Sequence, residues 1–127
     1  MPASLALADR PTVHVVDDDE AVRRSLAFLL EAASFTVCVH ASAAGFLAMP
    51  AVTGCLLVDY DMPGIGGLEL LRRLRLRGMT LPCIVLTGKH AAGIRQAAQA
   101  LGAAAVIEKP FDSEDLILTI RKALSPA

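Results

Sequence analysis

Along this chain, short runs of apolar and β-branched residues alternate with longer stretches in which apolar residues recur every three or four positions. "TVHVV" (12–16) is a strand pattern. "DEAVRRSLAFLLEAA" (19–33) follows, with Val22, Leu26, Leu29 and Leu30 on one helical stripe. "FTVCVH" (35–40) reads as a strand and "SAAGFLAM" (42–49) as a short helix opened by a Ser42 cap. "CLLVD" (55–59) is a strand, and "GLELLRRLRLRG" (67–78) is a helix with Leu70, Leu71 and Leu74 inward and a glycine stop. "PCIVLTG" (82–88), "AAGIRQAAQALG" (91–102), "AAVIE" (104–108) and "SEDLILTIRKAL" (113–124) continue the alternation, the last being a helix capped by Ser113. Five strand–helix units in this order predict a parallel sheet with helices on both faces. The strands are near-continuous apolar runs, the pattern of strands buried on both sides. No linker, repeat or low-complexity segment divides the chain, so residues 1–127 form a single domain with its core at about 12–124.

Composition narrows the function without choosing it. The chain has 127 residues, of which 54% are hydrophobic and 20% charged, enough to bury a core and too apolar for disorder. Its net charge of −1 argues against a general affinity for nucleic acid or anionic lipid, so whatever charge matters must be local. Cys38, Cys55 and Cys83 each lie in an apolar run, without the pairing or spacing of a disulfide framework or a zinc site. The N-terminal "MPASLALADRP" has no basic start and too short an apolar core for a signal peptide. Residues 32–58 carry no Asp, Glu, Lys or Arg, but Pro50, Gly45, Gly54 and His40 interrupt them, so they make no membrane span. The reading is a cytoplasmic protein without membrane contact.

The strand ends carry the chemistry. In an open sheet of this kind, ligands bind beyond the C-terminal ends of the strands, where strand order reverses. The first strand runs into Asp17-Asp18-Asp19, the third ends in Asp59, the fourth in Thr87 and the fifth in Lys109-Pro110; the second offers only His40. Acids, a hydroxyl and a lysine therefore converge on one edge. Each like-charged pair a few ångströms apart costs about 4 kcal/mol at an effective dielectric near 20. Three acids, Lys109 and one divalent cation sum to zero. An oxygen-only donor set suits Mg²⁺, with Mn²⁺ as an alternative. A carboxylate of ordinary acidity is ionised and nucleophilic at neutral pH. Asp19 and Glu20 are assigned to the cap and first turn of the first helix. Arg72, Arg73, Arg75 and Arg77 read as a solvated helix face, and His14, His40 and His90 as scattered side chains without ligand spacing. The glycines of "GIGG" (64–67) are mis-spaced for a dinucleotide loop and read as turn and helix-start geometry.

Four segments, "VHVVDDDEAVRRSLAFLL", "LLVDYDMPGIGGLELL", "VLTG" and "AAVIEKPF", in this order, resemble the receiver domain of two-component response regulators. The resemblance is to the nitrogen-fixation, FixJ-like type within the CheY-like superfamily, over residues 12–124. It implies the flavodoxin-like, doubly wound (βα)5 fold, with a five-stranded parallel sheet of order 2-1-3-4-5. It also implies the following roles. Asp59 is the phosphoacceptor. Asp17 and Asp18 hold Mg²⁺ together with Asp59 and the backbone carbonyl of Asp61. Thr87 and Lys109 bind phosphoryl oxygens, Thr87 moving as it does so, and Lys109-Pro110 is a cis peptide. Asp61 and Lys89, each two residues beyond a site residue, tune the phosphoryl lifetime. The partners implied are a sensor histidine kinase and, through helix 4, strand 5 and helix 5, a second copy or an effector, with no direct contact to nucleic acid. Self-catalysed phosphotransfer and autodephosphorylation are implied, without the turnover of an enzyme.

The sequence departs from that pattern at Val106, where receivers usually carry an aromatic residue, at the small Ala105 beside it, and at the bulky Tyr60 after the phosphoacceptor. The signal is therefore expected to leave the site through residues 88–101. After the last helix come only "SPA", so the chain is either a stand-alone receiver or the receiver portion of a longer regulator. Two rivals are weighed. "VDYDMP" also resembles the D-x-D signature of haloacid-dehalogenase-type phosphatases, but those place it on the first strand and their metal acids after the lysine. A receiver-like interaction module that is never phosphorylated is the other.

Overall fold

The computed structural model describes residues 10–50, 52–88 and 92–125. The alternation read from the sequence is present in full: β1 (Thr12–Val16), α1 (Glu20–Ala32), β2 (Thr36–His40), α2 (Ala43–Leu47), β3 (Cys55–Asp59), α3 (Gly67–Leu76), β4 (Cys83–Thr87), α4 (Ala92–Ala100), β5 (Ala105–Glu108) and α5 (Ser113–Leu124). All strands are parallel, in the order β2-β1-β3-β4-β5. The chain winds outward from β1 to β2, then returns past β1 to β3. The reversal of strand order thus falls between β1 and β3, the two strands that carry the acids.

The sheet has a core on each face. On one side Val13, Val15, Leu57, Ile84 and Leu86 meet Leu26 and Leu30 of α1 and Leu116 and Ile120 of α5. On the other, Val16, Leu56, Val58, Val85 and Val106 meet Phe46 of α2, Leu70, Leu71 and Leu74 of α3, and Ala98 of α4. Burial on both faces holds for β3 and β4 at every position, and for β1 from Val13 onward. The edge strands differ: β2 is half-buried throughout with Val39 exposed, and only Val106 of β5 is fully covered. An edge strand has a neighbour on one side only, which the apolar run in "FTVCVH" did not reveal.

Helix ends follow local chemistry. Asp19 caps α1 by accepting from Ala21 N and Val22 N, and Ser42 caps α2 by accepting from Gly45 N. The cap of α5 is Asp112, which accepts from Glu114 N, and Ser113 is the first helical residue instead. Asp and Ser are comparable caps, and here the residue one position earlier has the extended backbone that a cap requires. Three helices close with the same pair of backbone bonds. Phe35 N reaches Leu30 O and Ser34 N reaches Glu31 O; Met79 and Gly78 repeat this on α3, and Ala103 and Gly102 on α4. The motif needs a left-handed residue, supplied by Gly78 and Gly102 at φ 78° each, but by Ser34 at φ 73° after α1.

Two readings of side chains change. The arginine run is not uniformly solvated: Arg75 is half-buried and donates to the carbonyls of Leu101, Met79, Leu81 and Gly102 at 2.7–3.2 Å, tying the ends of α3 and α4 together. Arg77 reaches Leu47 O at 2.9 Å, and Arg72 and Arg73 turn to Glu69. Nor are the histidines scattered. His14 and His40 stack at 5.4 Å between ring centroids, both against Phe46. His14 Nε2 donates to Thr53 O and His14 Nδ1 accepts from His40 Nε2, each at 3.1 Å. Burial lowers both imidazole pKa values, and His14 lowers that of His40 further, so both are neutral at pH 7. His90 lies outside the described residues.

The Ser34 geometry generates a stability prediction. A left-handed serine costs roughly 1 kcal/mol relative to glycine. Ser34→Gly is expected to raise the stability of the fold by about that amount in urea unfolding at constant m-value. Unchanged or lower stability would show that the position carries no such strain.

Candidate functional site

The site is assembled by chain turns at the C-terminal edge of the sheet. Past Val16 the chain makes a tight turn through three acids. Asp17 N donates to His40 O at 3.2 Å, Asp19 N to Asp17 Oδ1 at 2.9 Å, and Arg23 Nη1 to Asp17 O at 2.8 Å. Asp17 is buried at 3% exposure, Asp18 is exposed, and Asp19 is spent on the helix cap.

Asp59 ends β3 as the sequence predicts and is buried at 7% exposure. The chain then reverses through Tyr60, whose N–H donates to Leu86 O at 2.7 Å and whose carbonyl accepts from Gly67 N at 3.1 Å. The glycines beyond it have a definite purpose. A Cβ on Gly67 would lie 2.8 Å from Asp59 O, too close for any side chain, and 3.1 Å from Tyr60 Cα. Only glycine lets α3 start this close beneath the end of β3. "GIGG" is helix-start geometry, with Gly66 as the cap of α3 and Gly67 as its first residue.

β4 delivers Thr87, which is fully buried, and Thr87 O accepts from Lys109 N at 2.8 Å, joining the ends of β4 and β5. Lys109-Pro110 is a cis peptide. Lys109 Nζ lies 2.8 Å from Asp59 Oδ1 and half in solvent. Asp17, Asp18 and Asp59 each offer a carboxylate oxygen within 4.8 Å of the others, which among the described residues is the single group of potential metal ligands. Asp61 is exposed and its carboxylate is not among them. Lys89 lies outside the described residues.

The electrostatics are those of a pocket short of positive charge. Asp17 Oδ1 has a partner, but Oδ2 is buried without one. Burial chiefly, then the charges of Asp59 and Asp18, raise the Asp17 pKa, opposed by its bond from Asp19 N and by Lys109. A buried carboxylate oxygen without a partner is costly. The residues present fit a hard divalent cation: oxygen donors only, one orphaned oxygen, and a residual negative charge that a dication cancels.

Val106 is buried beside Val58, Val85 and Ala98. Next to it is a cleft of about 240 Å³ lined by Arg95, Gln99, Ala103, Ala104, Ala105 and Val106. Arg95 Nη1 of α4 donates to Val106 O at 3.0 Å across this cleft. Sequence reasoning missed Arg95 and Arg23. Both lie on helix faces whose polar residues look alike until the fold shows which carbonyl each reaches.

A family model described as the response regulator receiver domain matches residues 13–121. The transcriptional regulatory protein FixJ of Azorhizobium caulinodans is 48% identical over 126 residues, which is 98% of this chain and 57% of that protein. FixJ of Rhizobium meliloti is 45% identical over 114 residues, 88% of this chain and 56% of that protein. The crystal structure of FixJ-N superposes with a TM-score of 0.84 at 42% identity, covering 91% of this chain and 94% of that one. The chain spans about half the length of the curated relatives it matches.

The raised pKa of Asp17 makes a signed prediction. A carboxyl whose folded pKa exceeds its unfolded value binds its proton more tightly in the folded state. Stability is therefore lost as pH rises through the ordinary aspartate range, near 4, toward the raised folded value. Without divalent cations, Asp17→Asn should be more stable than wild type at pH 7, by on the order of 1 kcal/mol, and the gap should close toward pH 3. Urea unfolding at the two pH values checks this. A variant less stable than wild type at pH 7 would show that the buried carboxylate is not under repulsion.

Proposed function

Because this chain belongs to the response regulator receiver domain family, we propose that it works as a phosphorylation-dependent signalling switch with Asp59 as phosphoacceptor and Mg²⁺ as cofactor. The observation that carries this reading is the environment of Asp59: a buried carboxylate at a strand end, with Lys109 on one oxygen and two further acids in reach of a shared cation.

The residues divide the chemistry as follows. Lys109 occupies Asp59 Oδ1 and leaves Oδ2 to attack. The donor is phosphohistidine on a sensor histidine kinase, or a small acyl phosphate. The Oδ2–P bond forms as the donor's bond to phosphorus breaks, P–N in phosphohistidine and P–O in an acyl phosphate, and the electron pair leaves with the imidazole nitrogen or the carboxylate oxygen. When bound between Asp17, Asp18, Asp59 and the carbonyl of Asp61, Mg²⁺ supplies charge for the transferring oxygens. Lys109 takes up a second share of that charge, and the Thr87 hydroxyl donates to a third oxygen. The protein thus contributes position and electrostatics. One phosphoryl group is taken up per signalling event and lost by hydrolysis, with Asp61 and Lys89 tuning the lifetime. Receiver domains are switches rather than turnover enzymes. A phosphatase of the D-x-D type is disfavoured, because here the motif ends the third strand and the acids Asp17 and Asp18 precede it in the chain.

Output follows from movement. A phosphoryl oxygen at Asp59 draws Thr87 inward. Val106 is small and stiff about χ1, so it cannot rotate into space as an aromatic ring would. α4 is lightly anchored, with Ala98 its one buried residue, and Arg95 couples it to β5 through Val106 O. The shift passes into α4, and the surface of α4, β5 and α5 binds a second copy or an effector. No helix among the described residues is long and apolar enough to cross a membrane.

Two measurements check this. Incubation with acetyl phosphate and Mg²⁺ should add one phosphoryl group to the wild-type chain by intact mass and none to Asp59→Asn. An unchanged wild-type mass would favour an interaction module that is never phosphorylated. Hydrogen exchange with beryllofluoride should change protection in residues 92–108 as well as at the site. Changes confined to residues 17–19 and 59–67 would rule out the α4 route.

A further inference from the structure

The turn that carries the acid pair is held from behind by one charged side chain. Arg23, on the first turns of α1, donates from Nη1 to the carbonyl of Asp17 at 2.8 Å. That carbonyl belongs to the peptide plane joining Asp17 to Asp18, so fixing its oxygen fixes the direction in which Asp18 leaves. The preceding plane is fixed independently, by Asp17 N on His40 O. Asp18 is exposed and has little packing to orient it, yet its carboxylate lies within 4.8 Å of those of Asp17 and Asp59. A pinned peptide plane accounts for that.

Arg23 also differs from Lys109 in what it leaves free. Lys109 sits on a carboxylate oxygen, Asp59 Oδ1. Arg23 sits on a peptide oxygen, so it holds the turn without covering any carboxylate atom that a cation would use. Among the described residues Arg23 forms no ion pair, whereas its neighbour Arg24 is spent on Glu20 at 3.3 Å in solvent. Asp17 Oδ2 remains buried, unpartnered and available.

We infer that Arg23 is a positioning residue for the cation site: it locks the Asp17–Asp18 peptide so that the two carboxylates converge on Asp59 with their oxygens open. This rests on the reading of the pocket as a Mg²⁺ site. Residues that orient ligands from behind typically change metal affinity by about 10-fold or more when removed.

The test is a Mg²⁺ titration of the full chain. Tyr60 is the one tyrosine and there is no tryptophan, so intrinsic emission reports from the residue next to Asp59. Arg23→Ala is expected to weaken Mg²⁺ binding about 10-fold. Arg23→Gln, whose shorter side chain does not carry an N–H as far as the Asp17 carbonyl, should be weakened nearly as much, and Arg23→Lys, which reaches with a single donor, should recover part of the loss. Arg24→Ala should match wild type. Thermal unfolding without metal runs in parallel, and if Arg23→Ala does not fold, the Gln and Lys variants carry the test. Arg23 variants that bind Mg²⁺ as wild type does, whatever their thermal stability, overturn the inference while leaving the pocket's reading intact. A wild-type chain without a saturable Mg²⁺ response overturns that reading, and the inference with it.

Discussion

The constraint on which this structure turns is the mutual repulsion of Asp17, Asp18 and Asp59. A fold of ordinary stability, about 5–15 kcal/mol, does not bring three carboxylates within 4.8 Å of one another without compensation. The surrounding architecture supplies it in parts. β1 and β3 are neighbours, buried from both sides, so their ends are fixed by packing before any charge is considered. Lys109, placed by β5, neutralises one charge directly, and Arg23 pins the turn through the Asp17 carbonyl. What is left over is an orphaned oxygen on Asp17 and a net negative pocket. That remainder is what a hard divalent cation would neutralise.

The packing around Thr87 differs sharply on its two sides. β4 is fully buried, and its end is tied to β5 through the bond from Lys109 N to Thr87 O. Beyond Thr87 the support thins: α4 buries one alanine, and the cleft beside Val106 is lined by small residues and crossed by Arg95. A rigid strand end next to a weakly packed helix concentrates any displacement in the helix. Under the proposed switch, Val106 in place of an aromatic residue leaves α4 as the part that moves.

Much of this was legible in the sequence, and the reasons are physical. The change of period between strands and helices gave the element order, and the polar residues at strand ends gave Asp17, Asp18, Asp59, Thr87 and Lys109, because an apolar run that stops at an acid leaves few places for that acid to go. What escaped was whatever depends on distant partners. Arg75 and Arg72 are alike in sequence, yet one binds four carbonyls from the ends of two helices and the other a neighbouring glutamate. His14 and His40 lie 26 residues apart and stack only because β1 and β2 are in register. The choice of Asp112 over Ser113 as cap depended on the backbone angle of one residue. Gly67 reads from the sequence as turn and helix-start geometry, and the structure adds that its missing Cβ keeps α3 clear of Asp59.

The central claim is that the acid repulsion in this pocket is matched to a divalent cation that Asp18 helps to hold. Thermal unfolding of the wild-type chain and of Asp18→Asn, each with and without saturating Mg²⁺, tests it most directly. The account predicts a rise of several degrees for the wild type, since a ligand that binds only the folded state stabilises it, and a much smaller rise for Asp18→Asn. Equal shifts in the two proteins would contradict it.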